Sequence, residues 1–159
     1  MSNETIYLTL EGRGRLEKEL RELKTSGRKD MASRIAEARS HGDLKENAEY
    51  DAAKEAQGHL EMRIAKLEET LSKSRILDTS NLDLTKVTVL STVKVANSKT
   101  NKEFNYTLVS EEEADLANGK ISTLSPIGRA LLGHSIGDLV EIKVPAGLLT
   151  LKVLDITRQ

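Results

Sequence analysis

Between Glu11 and Ile76 apolar residues recur at steps of three and four. Leu16, Leu20, Leu23, Met31, Ile35 and Ala38 mark one run, and Ala52, Ala56, Leu60, Ile64, Leu67 and Leu71 mark a second. Such spacing places a narrow apolar stripe along one face of a helix. No proline interrupts either run, while Gly27 breaks the first stripe, where it either weakens the helix or lets a partner approach closely. Folded back antiparallel, facing residues have nearly constant index totals. Leu16 with Ile76, Leu20 with Leu71, Leu23 with Leu67, Met31 with Leu60 and Ala38 with Ala52 all total between 90 and 92. Half of that predicts a turn at residues 45–46, inside the polar stretch Ser40-His-Gly-Asp-Leu-Lys-Glu-Asn47. At about 1.5 Å per residue each arm is about 40 Å long.

From Val87 the pattern changes to alternation. Val87, Val89, Val93 and Val95, then Phe104, Tyr106 and Leu108, predict half-buried strands joined by a loop over Asn97–Asn101. Ser110 before three glutamates reads as a capped, solvated acidic helix start or turn, and Asn118-Gly119 as a second turn. Ser125-Pro126 opens a short helix over Ile127–Leu132 that Gly133 stops. Two strands, Leu139–Val144 and Leu148–Ile156, close the chain around Pro145-Ala146-Gly147. The predicted fold class is thus α followed by α+β. A long antiparallel coiled-coil hairpin occupies residues 1–78 with an acidic tip at 42–47, and a small domain with an antiparallel sheet and one short helix occupies 79–159.

Composition narrows the function. Only 3% of the 159 residues are aromatic and 31% are charged, which rules out a core of packed rings and suits long solvated helices. A net charge of −1 excludes non-specific duplex binding by bulk positive charge. The absence of cysteine excludes disulfides, thiolate nucleophiles and cysteine zinc sites, and His41, His59 and His134 are too scattered to replace them. No apolar run is long enough for a bilayer, and the first residues lack a secretory pattern, so a cytoplasmic protein is expected.

The candidate chemistry lies at the tip. Asp43-Leu-Lys-Glu46 fits a capping box, with Asp43 as N-cap of the second helix and Glu46 reaching back. The same two carboxylates, three residues apart, could instead hold a divalent cation weakly. Mg²⁺ accepts one or two protein carboxylates alongside waters and phosphates. Arg34, Arg39, Lys45 and Lys54 either steer phosphates or form solvated helix faces among Glu37, Glu49, Asp51 and Glu55. Tyr50 either stacks on a base or packs across the hairpin. Ser125 has no triad partners and reads as a cap. No glycine-rich phosphate loop and no self-contained active site is present.

The stretch Ile35-Ala-Glu-Ala-Arg-Ser-His-Gly-Asp-Leu-Lys-Glu-Asn-Ala-Glu-Tyr-Asp-Ala-Ala-Lys-Glu55 resembles the tip signature of the bacterial Gre transcript cleavage factors, the GreA branch most. Ile121-Ser-Thr-Leu-Ser-Pro-Ile-Gly-Arg-Ala-Leu-Leu-Gly133, followed by Gly137-Asp138, is similar to the second signature, so the resemblance spans the chain. It implies an elongation factor that docks on RNA polymerase, inserts its coiled coil through the secondary channel and stimulates cleavage of the backtracked RNA 3′ end. Such a factor activates an enzyme and is not one itself. By position, Asp43 and Glu46 would share a second Mg²⁺ with the polymerase and orient water, none being tightly held by the free protein. Arg39, Lys45, Asn47, Tyr50 and Lys54 would contact RNA or the polymerase centre, with Lys54 standing where the pattern often has arginine. Ser125 and Pro126 would dock on the polymerase, and Leu124 stands where a polar residue is expected. The resemblance implies an FKBP-like second domain, but Phe104 and Tyr106 are too few rings for a proline pocket, so isomerase activity is not expected. A monomer without membrane contact is expected. The alternatives are an inhibitory channel-binding paralogue and a plain coiled-coil scaffold.

Overall fold

The computed structural model describes residues 4–42 and 47–158. The chain divides into two compact units: Glu11–Ser74 form most of the first, and Thr5–Leu10 join the chain from Arg75 onward in the second.

The first unit is a helical hairpin. Its first arm comprises α1 (Leu10–Glu22), a π-helical turn (Leu23–Gly27) and α2 (Arg28–Ser40), and its second arm is α3 (Ala48–Lys73). The π-turn answers a fault in the stripe. From Leu23 through Gly27 and Met31 to Ile35 the half-buried positions advance in three steps of four. A regular turn of 3.6 residues would carry such a run off the seam, and one wide turn absorbs the excess. The Arg28 N–H donates to the Leu23 carbonyl five residues back. Thr25 Oγ1 donates to the Arg21 carbonyl at 2.8 Å and Ser26 Oγ to that of Glu22 at 3.1 Å, which occupies carbonyls of the widened turn. Gly27 sits in the seam: a Cβ built there would lie 3.4 Å from Leu60 Cδ1.

Ion pairs flank the seam. Arg28 meets Glu61 through two bonds of 3.0 Å each, Arg63 meets Glu19 at 2.8 and 2.9 Å, and Lys24 meets Glu68 at 3.1 Å. The paired hydrogen bonds raise the Arg28 pKa and lower that of Glu61. Two expected facing pairs are corrected. Ala53 is buried and Ala52 exposed, so the seam near the tip runs through Ala38 and Ala53. Ile76 is 45% exposed and lies beyond the helix, which ends at Lys73, so it is not part of the helical stripe. Ser74–Ile76 is a short strand, β2, paired with β1 (Ile6–Leu8).

The second unit is built on a five-stranded sheet in the order β5-β4-β3-β7-β6, from β3 (Ser91–Asn97), β4 (Glu103–Val109), β5 (Lys120–Ser122), β6 (Leu139–Val144) and β7 (Gly147–Arg158). All neighbours are antiparallel except β4 and β5, so the sheet is mixed and not wholly antiparallel as expected. A bulge between Lys94 and Val95 pairs Val93 with Ile156 but Val95 with Val153. It explains why burial on β7 passes from Leu151 and Val153 to Ile156, a step of three where alternation would give two. The core joins these residues to Val87, Leu108, Ile121, Leu131, Val140 and Ile142.

Helix α4 (Pro126–Leu131) starts as expected, with Ser125 as N-cap and proline in its first turn. Other local expectations are corrected. Val87 and Val89 precede the first long strand and are not part of it, because Leu90 adopts φ 68° and turns the chain before Ser91. Ser110 Oγ caps nothing and has no hydrogen-bond partner among the described residues. Glu113, expected on a solvated turn, is buried, and its carboxylate accepts bonds from Thr9. No described helix is long and apolar enough to cross a membrane.

Candidate functional site at the hairpin tip

A capping box would assign the start of the second arm to Asp43. The structure gives it to Asn47, whose backbone is extended (φ −92°, ψ 94°) and whose Oδ1 accepts from the Tyr50 N–H at 3.1 Å. The N-cap of α3 is therefore Asn47 and not Asp43. Asp43, Lys45 and Glu46 lie outside the described residues.

Three contacts tie the arms immediately behind that turn. Asn47 Nδ2 donates to the Ala38 carbonyl in the last turn of α2. The Arg39 guanidinium lies over the Tyr50 ring, 5.8 Å from its centroid, so Tyr50 packs across the hairpin. His41 Nε2 approaches Glu49 Oε2 at 3.5 Å. Lys54 is exposed and donates to Gln57 Oε1 at 2.9 Å. A hollow beside these contacts is lined by Arg34, Glu37, Ala38, Glu49 and Ala52. The structure thus brings Arg39, Asn47 and Tyr50 into one cluster and leaves Lys54 to one side. Among the described residues no three His, Asp or Glu side chains gather as a metal site.

Ser125 and Pro126 belong to the second unit. The Ser125 hydroxyl is engaged locally, accepting from Gly128 N–H at 3.1 Å and donating to the Ser122 carbonyl at 2.6 Å, while Pro126 is exposed. Sequence reasoning missed two features there. A Cβ on Gly128 would lie 2.1 Å from the Ser122 carbonyl oxygen, so this glycine lets α4 lie against the end of β5. Leu124, Ile136 and Leu139 expose large apolar side chains, at 53%, 56% and 63%. The available signal was Leu124, an apolar residue in a turn.

A clamped helical hairpin as one unit and a small mixed-sheet domain as the other define the class: a two-unit, coiled-coil-plus-sheet factor. Residues 6–76 match the family model of the transcription elongation factor N-terminal domain, and residues 82–158 match that of the GreA/GreB C-terminal domain. The chain belongs to the GreA/GreB family of transcription elongation factors. It is 56% identical over 153 residues to transcription elongation factor GreA of Flavobacterium johnsoniae, covering 96% of this chain and 97% of the relative. With GreA of Chloroherpeton thalassium it shares 52% identity over 156 residues, 98% of each. Among solved structures, GreA factor homolog 1 of Thermus thermophilus is 28% identical over 96% of this chain and 99% of its own, with a TM-score of 0.45.

Proposed function

We propose that this chain binds bacterial RNA polymerase, enters its secondary channel with the coiled-coil hairpin, and stimulates the polymerase's own hydrolysis of backtracked nascent RNA. The observation that carries this reading is the cap. Asn47 fills the N-cap position of α3, the place that a capping box would give to Asp43. Asp43 and Glu46 provide two hard carboxylate donors, a set that suits Mg²⁺ shared with another macromolecule and its phosphates. When bound, Mg²⁺ neutralises charge at the attacking and leaving oxygens of such a hydrolysis. The chain's part is to bring its carboxylates to the polymerase centre and orient water there. Arg39, Lys45, Asn47, Tyr50 and Lys54 stand close enough in sequence to meet the RNA 3′ end or the polymerase centre, and the Arg39–Tyr50 stack holds a cation at the tip. The second unit is read as an FKBP-like domain that docks on the polymerase through the region of Ser125 and Pro126. The factor is read as a cytoplasmic monomer.

The test uses halted, backtracked elongation complexes with 3′-labelled RNA and Mg²⁺. Wild type should release a short labelled fragment, and the Asp43→Asn/Glu46→Gln double variant should not, while still binding polymerase. Binding without stimulation by wild type would instead favour an inhibitor, and no binding would leave a scaffold.

A further inference from the structure

Strand β6 ends the five-stranded sheet, and no described strand pairs with its outer side. Its ladder with β7 fixes which backbone groups are left over. The Val153 N–H donates to the Asp138 carbonyl at 2.9 Å, and Thr150, opposite Glu141, turns its carbonyl to the Ser98 N–H at 3.0 Å. Hydrogen-bonded positions alternate along an antiparallel pair, so Leu139, Glu141 and Lys143 aim their N–H and C=O groups away from β7. Such an open row pairs with another strand unless charge, proline or a bulge blunts it. β6 contains no proline, and its two charges are of opposite sign, two residues apart.

The run Val140-Glu-Ile-Lys-Val144 reads alike from both ends, with one charge exchanged for the other. Laid antiparallel against itself about Ile142, it sets Glu141 opposite Lys143 twice, and Val140 opposite Val144. Glu141 and Lys143 are also the outward-aimed positions, so they exchange backbone bonds as well as charge. Slipping the pair by two residues sets Glu141 on Glu141 or Lys143 on Lys143, and slipping it by one opposes bonding to non-bonding groups. Val140 and Ile142 are buried and Val144 is half-buried, so the inward row continues the core face across the seam. Exposed Leu139 meets the second copy's Pro145, which has no N–H to leave unpaired.

We propose that β6 is a self-pairing edge, through which two copies of this chain join into one continuous sheet about a two-fold axis at Ile142. The contact is one short run from each copy, so the dimer is reversible and depends on concentration. This goes beyond the cleavage reading and does not rest on it: the single copy read there as the acting form is the dissociated chain.

Sedimentation equilibrium of the full chain, from micromolar to millimolar, compares wild type with Glu141→Lys, Lys143→Glu and the double exchange Glu141→Lys/Lys143→Glu. Both side chains are exposed, so the variants should keep the wild-type fold by circular dichroism. Wild type should dimerise. By symmetry each single change turns two attractive pairs into two repulsive ones, which should raise the dissociation constant about tenfold or more. The double exchange restores both pairs and should dimerise as wild type does. An equimolar mixture of the two single variants should form a mixed dimer more readily than either variant pairs with itself. A wild type that stays monomeric to millimolar overturns the proposal. So does a dimer indifferent to both single changes, which lies on another surface, or a double exchange that stays as weak as the singles.

Discussion

The Glu113 carboxylate accepts two hydrogen bonds from Thr9, 104 positions earlier: one from the backbone N–H at 3.1 Å and one from the hydroxyl at 2.6 Å. Glu113 is only 5% exposed, so these bonds stand in for water at a buried polar group. They explain how the N-terminal segment Thr5–Leu10 belongs to the same unit as the residues from Arg75 onward. Thr9→Val should destabilise the protein by about 1–3 kcal/mol, because it keeps the shape and removes the hydroxyl donor. Urea denaturation of Thr9→Val, Glu113→Ala and the double variant should show coupling, the double variant costing less than the two single losses combined. Strict additivity would mean that the pair contributes nothing to the fold.

Gly128 admits no side chain because the Ser122 carbonyl oxygen would lie 2.1 Å from its Cβ. Gly128→Ala must push α4 off the end of β5. A loss of about 1–3 kcal/mol or more is expected, although alanine is the better helix former. The urea midpoint checks it, and an unchanged midpoint would show that α4 is free to shift.

The π-turn makes an unusual forecast for a deletion. A π-bulge holds one residue more than the regular helix around it. Removing Ser26, which is exposed, should convert Leu23–Gly27 into ordinary α-helix while keeping Met31, Ile35 and Ala38 on the seam. The deletion should therefore keep wild-type helix content by circular dichroism and melt close to wild type. Deleting Ser33, in the regular helix of α2, should swing the following residues by about 100° and cost far more. Equal damage from the two deletions would contradict this account.

Asp138 accepts from the Ser135 backbone N–H at 2.9 Å and lies 3.0 Å from His134 Nδ1. The backbone bond, then the His134 bond, holds its pKa below the usual 3.8. A depressed folded-state pKa means that the native state favours the ionised form. The resulting stability is fully present above the unfolded value and is lost as pH falls through the folded one. Wild type should therefore melt above Asp138→Asn at neutral pH, with the difference closing in strong acid. A difference that is constant with pH would assign the effect to something other than ionisation.

The hairpin, its central seam residues Leu16, Ile64 and Leu67, the α4 cap and the last strand pair were all legible in the sequence. These depend on periodicity and on cap chemistry within a few residues, which local sequence expresses directly. The family was legible for a different reason: the tip signature and the Ile121–Gly133 signature are long and specific, and both family models match. Legibility ended where a choice between neighbours depended on a distant partner. Asp43 and Asn47 both suit an N-cap, and what separates them is the reach of an amide to Ala38 on the other arm. Ala52 and Ala53 are alike in sequence, and only the phase of α3 against the first arm buries the second.

The sequence by itself thus determined that this is a charged, cysteine-free, two-part chain with a helical hairpin, acidic residues at its reversal and a Gre-type pattern throughout. Tertiary structure decided which side chains those local rules leave free. It buried Glu113 because Thr9 returns from the far end of the chain to bond it, and it placed a wide turn in α1–α2 because the facing arm holds the stripe in line. It also took the helix cap away from the tip acids, since a single asparagine satisfies α3 and α2 together. Hydrogen bonds and packing between distant segments depend on where the chain brings them, and no window of neighbouring residues contains that information.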